Sequence, residues 1–154
     1  MPDAALYSHL FDWRWHFGNC ATALPVLGAI LEGLLASVKG TCIIEVHGRE
    51  DVQKLYTKAA IDFIWLYNEV PQEGSLLADL VKMRSLPQTA RFAYFAAEFS
   101  TVRKIRNYLR KDLGWRKEEL YAYSYWKIGV AEDKSANERR QESEEVNSPL
   151  DSAE

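Results

Sequence analysis

A chain of 154 residues is long enough for one hydrophobic core and too short for two ordinary domains, so the length predicts a single domain with a tail. Hydrophobic residues at 47% and charged residues at 27% give the composition of a soluble globular protein, and a net charge of -3 offers no broad basic field for nucleic acid. The two cysteines, Cys20 and Cys42, lack CxxC spacing, which argues against a disulfide-stapled secreted domain and for a reducing cytoplasm.

Residues 1–11 read as an N-terminal extension, and Trp13 to Phe17 is a short aromatic run that fits a first strand. Thr22 to Leu35 has helical content, with Thr22 placed to cap it and Pro25 tolerated in its first turn. The longest apolar stretch, Ala21 to Val38, is interrupted by Glu32 and by Pro25, Gly28 and Gly33, so no membrane span is expected. The N-terminus also lacks a basic region ahead of an apolar core, the mark of an export signal.

Gly40 breaks the chain before Thr41 to Val46, a run rich in β-branched residues that predicts a buried parallel strand. The segment from Gly48 to Ala60 leaves room for a short helix, and Asp62 to Tyr67 is a third strand. Ser75 to Met83 predicts a helix capped by Ser75, with Leu76, Leu77, Leu80 and Val81 on one face. Phe92 to Ala96 and Tyr121 to Tyr125 supply the fourth and fifth strands. Between them Ser100 to Lys111 forms a basic helix that Gly114 stops. Its buried stripe is Val102, Ile105 and Leu109, and Arg103, Arg106 and Arg110 share a face that reads as solvated.

Strands alternating with helices predict an α/β fold: an open, doubly wound parallel sheet of about five strands with right-handed crossovers. From Ala131 to Glu154 eight acidic residues face three basic ones, and the large apolar residues are Val146 and Leu150 alone. That segment cannot bury enough surface to offset chain ordering and reads as a disordered acidic tail.

Three ordered motifs single out candidate functional residues. Near the start stands Asn19-Cys20-Ala21-Thr22-Ala23-Leu24-Pro25, preceded by Asp12-Trp13; the others are Ala96-Ala97-Glu98-Phe99-Ser100-Thr101-Val102-Arg103 and Tyr123-Ser124-Tyr125-Trp126-Lys127-Ile128-Gly129. Over about Asp12 to Asp133 the chain resembles the C-terminal domain of siderophore-interacting proteins, the NAD(P)H-dependent ferric-siderophore reductases related to ferredoxin reductases. The corresponding family patterns are G-D-E-T-A-L-P, A-G-E-x-S-x-V-R and S-G-Y-W-[RK]-x-G.

The resemblance implies a ferredoxin-reductase-like NAD(P)H-binding domain over residues 12–130. The turn of Asn19, Cys20, Thr22 and Ala23 would hold the dinucleotide phosphates, and Ala97, Glu98 and Ser100 would lie near the nicotinamide or its ribose. Helix N-termini offer free N–H groups to anions, but Thr22 and Ser100 are also explained as ordinary helix caps. Arg49, just past the second strand, stands where such folds read the ribose end and can receive a 2'-phosphate; a surface charge beside Glu50 and Asp51 is the competing reading. Tyr125, Trp126 and Lys127 would face flavin and an anionic ferric siderophore, or simply pack.

Three family glycines are replaced, by Asn19, Ala97 and Ser124, and the acidic pair of the first motif by Cys20 and Ala21. A side chain at such turns can block a ligand's close approach or strain the backbone. Family members also carry a flavin-binding β-barrel ahead of this domain, for which the residues before the first strand are too few. The expected function is the NAD(P)H-binding half of a flavin-dependent reductase, an enzyme component not competent alone, with FAD and the flavin domain supplied from elsewhere. The alternative is a degenerate α/β binding module that has lost the nucleotide site. His9, His16 and His47 show no metal-ligand spacing, and no nucleophilic triad is discernible, so neither a metal site nor a catalytic residue is expected.

Overall fold

Alternation along the strands divides the apolar residues between two faces, and each face acquires its own helices. The described residues of the computed structural model are 14–20 and 24–126. In chain order the strands are β1 (Arg14–Cys20), β2 (Lys39–Val46), β3 (Ala60–Tyr67), β4 (Arg91–Glu98) and β5 (Leu120–Trp126), and the helices are α1 (Leu24–Gly33), α2 (Leu77–Lys82) and α3 (Phe99–Asn107). Among the described residues the strands form one sheet in the order β3-β2-β1-β4-β5, with every neighbouring pair parallel. The expected parallel α/β fold is therefore observed. The N-terminal extension and the acidic tail lie outside the described residues.

Helix α1 turns Leu24, Leu27, Ile30 and Leu31 inward. They pack on Cys42, Ile44, Val46, Phe92, Tyr94 and Ala96 of β2 and β4. Complete burial of a leucine such as Leu27 or Leu31 contributes about 1.5–3 kcal/mol. On the opposite face Ile43, Ala93, Phe95, Ala97 and Ala122 meet Leu77 of α2, Val102 and Ile105 of α3, and Leu109 just beyond it. A strand covered on both faces loses its polar alternation, and β4 is buried at every position. The edge strand β3 is half-buried over most of its length.

Several boundaries move. β1 runs on to Cys20, so Asn19 and Cys20 are its last residues rather than part of a turn. The segment after β2 forms one short turn of 3-10 helix, Arg49–Asp51, before extended chain. Helix α2 begins at Leu77, so Leu76 holds the formal N-cap position, but Ser75 still satisfies the first helical N–H: its hydroxyl accepts the Leu77 N–H at 3.0 Å and donates to Glu45 at 2.5 Å. Leu76 consequently lies outside the buried face and is 66% exposed.

Helix α3 continues into a π-type turn over Tyr108–Asp112, closed by the Leu113 N–H on the Tyr108 carbonyl at 3.1 Å. Gly114 at φ 67° then ends it, in the left-handed conformation that glycine adopts without steric cost. Arg106 is 5% exposed rather than solvated, because it follows Val102 by four residues and falls on the same inward stripe. Burial, followed by the charges of Arg110 and Arg103, lowers its pKa. Cys42 is core as expected, and burial pushes its thiol up to about 12, which leaves it protonated and unreactive.

Candidate functional site at the carboxyl edge of the sheet

The strand order creates one place where the chain leaves the sheet in opposite directions. β1 and β4 are parallel neighbours, with Asn19 opposite Ala96. After β1 the chain crosses to α1 on one face, and after β4 it crosses to α3 on the other. Diverging connections open a crevice at the carboxyl ends of the two strands, and ligands of open α/β sheets lie there.

Of the residues singled out by sequence, Asn19 and Cys20 end β1, and Ala97 and Glu98 end β4, so both pairs share the rim of this crevice. Ser100 lies in the first turn of α3. Tyr125 and Trp126 close β5, the neighbour of β4 on its far side. A register shift there sets Ser124 opposite Ala97 and Trp126 opposite Glu98, so Tyr125 is the extra residue of a bulge. Arg49 is exposed in the turn after β2, on the β2 side of the rim. Thr22, Ala23 and Lys127 lie outside the described residues.

Glu98, not Ser100, caps α3. Its buried carboxylate accepts the N–H groups of Ser100 at 2.8 Å and Thr101 at 3.1 Å, and the Ser100 hydroxyl also donates to it. The end of α3 that would attract an anion is thus already supplied with one from the chain itself. Glu98→Ala is expected to cost about 1–2 kcal/mol in urea unfolding, and Glu98→Gln, which keeps an acceptor oxygen, distinctly less. Equal costs for the two variants would show that the cap contributes nothing.

The glycine replacements do not strain the backbone. Among the described residues the positive φ angles belong to Ala90, Gly74 and Gly114, so Asn19, Ala97 and Ser124 are unstrained where they stand. What Ala97 and Ser124 add is side-chain volume, buried in both cases.

Sequence reasoning missed an opening at this edge. A cavity of about 450 Å³ lies at the carboxyl ends of β2 and β3, walled by Glu45, Leu66, the loop from Tyr67 to Leu76, and Lys104 of α3. Glu45 is 9% exposed. Its signal was available: a single carboxylate in the otherwise apolar run Cys42 to Val46, at the end of the strand beside β1. The loop is held by the Asn68 side chain, which donates to the Gly74 carbonyl at 2.8 Å and accepts the Val70 N–H at 3.2 Å. Among the described residues no cluster of His, Cys, Asp and Glu could hold a metal, and no helix is long and apolar enough to cross a membrane.

The sequence model described as siderophore-interacting protein matches residues 11–129. The ferric vibriobactin reductase ViuB of Vibrio cholerae is 30% identical over 130 residues, which are 83% of this chain and 48% of that protein. The siderophore-interacting protein SipS of Aeromonas hydrophila superposes with a TM-score of 0.67 at 26% identity, over 74% of this chain and 50% of its own. A siderophore-interacting protein of Acinetobacter baumannii gives a TM-score of 0.70 at 18% identity, over 90% of this chain and 54% of its own, and so shares the fold. The chain therefore spans about half the length of the relatives it matches.

Proposed function

This chain belongs to the siderophore-interacting protein family, and from that premise we propose that it is the NAD(P)H-binding half of a flavin-dependent ferric-siderophore reductase acting in the cytoplasm. The observation that carries the proposal is the crevice between the ends of β1 and β4, the switch point of a doubly wound, ferredoxin-reductase-like sheet. The pyrophosphate is assigned to the chain that leads from β1 into α1, because the first N–H groups of α3 are already satisfied by Glu98. Ala97 and Glu98 then border the nicotinamide, and Tyr125 and Trp126, the last residues of β5, with Lys127 next in the chain, are the candidates for contact with the flavin and the chelate.

A hydride carries two electrons and ferric iron accepts one, so a flavin supplies the passage from paired to single electrons, and two ferric ions are reduced per hydride. The contribution of this chain is to bind the dinucleotide and orient its nicotinamide toward a flavin held by a second domain. The full chain should bind NADH or NADPH saturably in calorimetry, reduce no ferric siderophore alone, and do so when a flavin-loaded barrel domain is added. Failure to bind either nucleotide at millimolar concentration would remove the proposal. It would favour a degenerate interaction module, the reading supported by the buried side chains at the former glycine positions Ala97 and Ser124.

A further inference from the structure

We propose that the cavity at the ends of β2 and β3 seats the adenosine of the dinucleotide with an unphosphorylated ribose, and that Glu45 makes NADH the preferred donor over NADPH. This rests on the nucleotide-binding reading above and decides which nucleotide is taken.

Position is the first argument. Glu45 lies opposite Cys20, the last residue of β1, so a ligand that starts at the β1 turn and runs along the rim toward β2 and β3 reaches this cavity next. Its volume, about 450 Å³, falls within the range of small-molecule sites, about 300–1,000 Å³.

The walls have two characters. Tyr67, Val70 and Leu76 are among the most exposed large apolar side chains of the described residues, at 46%, 46% and 66%, and all three line this opening with Leu66. Solvated apolar groups gathered around one concavity suit a flat, weakly polar ring such as adenine. The charged part of the wall is three carboxylates, Glu45, Glu69 and Glu73, against the single ammonium of Lys104.

Glu45 is the member whose position is fixed. It is buried, and its carboxylate accepts the Ser75 hydroxyl, which is itself held by the Leu77 N–H. A carboxylate at the end of the second strand can accept hydrogen bonds from a ribose diol, and the same carboxylate repels a ribose 2'-phosphate. The phosphate has no proton to donate and adds up to two negative charges to a wall already short of positive ones. Arg49, the cation that could receive it, is absent from the cavity lining.

The test is a titration of the full chain with NADH and with NADPH, and again with ADP and its ribose 2'-phosphorylated counterpart, read by calorimetry. The expected result is tighter binding of the unphosphorylated member of each pair by about tenfold or more, the scale of repulsion across a partly solvated cavity. Glu45→Gln should bring the two members of a pair closer together. Glu69→Lys, at an exposed position that leaves folding intact, should do so independently, and Arg49→Ala should leave the ratio unchanged. Equal or tighter binding of NADPH by the unaltered chain would overturn the selectivity and leave the nucleotide-binding function standing. A ratio unmoved by both glutamate substitutions would also overturn it. Absence of binding by any of the four ligands would remove the function and the selectivity together.

Discussion

Arg91→Met should destabilise the fold by about 3–5 kcal/mol, because it strands a buried carboxylate. Arg91 begins β4 and is buried; one guanidinium nitrogen lies 3.3 Å from Glu119, another donates to the Pro87 carbonyl at 3.3 Å, and the group sits 4.5 Å above the Trp115 ring. Glu119 in turn accepts the Arg116 N–H at 2.6 Å and lies 3.6 Å from the Arg116 guanidinium. The substitution keeps the bulk against Trp115 and removes the positive charge. Arg116 cannot replace it, since its side chain is 75% exposed and a solvated charge screens a buried one poorly.

The same variant should change the pH profile. Burial opposes ionisation of Glu119, but the Arg116 N–H and the Arg91 and Arg116 guanidiniums outweigh it and hold its pKa below the ordinary carboxylate value. A lowered carboxylate pKa stabilises the native state fully above the ordinary value, about 4.3, and that contribution is lost as pH falls through the lowered one. Without Arg91 burial gains weight, so the acid-unfolding midpoint of Arg91→Met should move to higher pH. The double variant Arg91→Met/Glu119→Gln, which retains an acceptor for the Arg116 N–H, should regain part of the stability. Thermal and urea unfolding across pH 3 to 8 would check both; a pH-independent loss would show that packing, not charge, was removed. Arg91 and Glu98 stand at opposite ends of β4, roughly 23 Å apart at the usual strand rise, so nucleotide affinity should be unaffected in the folded protein.

Phe95→Ala should cost about 3–5 kcal/mol, toward the upper end of that range. Phe95 is 2% exposed at the centre of β4, and its register neighbours are Gly18 on β1 and Ala122 on β5. Two small residues flanking the ring are what let it occupy the middle of the face under α3. They are also why nothing nearby can fill the space if it is lost. A small void of about 20 Å³, lined by Phe95, Ile105, Leu109 and Trp115, already adjoins the ring, so truncation enlarges an existing cavity. The urea midpoint should fall with little change in slope. Phe95→Leu, keeping most of the volume, should lose less than half as much, and a similar loss for both would mean the site collapses freely.

The position of Phe95 shows what could be read from the chain. That Phe92 to Ala96 forms a buried strand follows from an unbroken apolar run bounded by a turn, and that Val102, Ile105 and Leu109 face inward follows from helical spacing. Both are local properties. That Gly18 and Ala122 sit beside Phe95 is a matter of register between strands distant in sequence, which no spacing encodes. Capping was half legible: the turn from Glu98 to Thr101 was marked, but whether Ser100 or Glu98 satisfies the first N–H groups depends on the direction in which β4 delivers the chain. Arg106 differs from its expected solvation because its helical phase, not its charge, sets its burial.

The alternation of strands and helices, the parallel α/β class and the three motifs that carry the family resemblance are legible in the chain alone, because they depend on residues adjacent in the chain or one helical turn apart. That β1 lies between β2 and β4, and so that Cys20 and Ala97 share a rim, emerges only when the chain is folded. Nor could sequence show that Glu45 and Ser75, thirty residues apart, meet in the wall of a cavity. Strand order and cavity walls arise from burying two apolar faces at once, a condition imposed by the whole chain rather than by any segment of it.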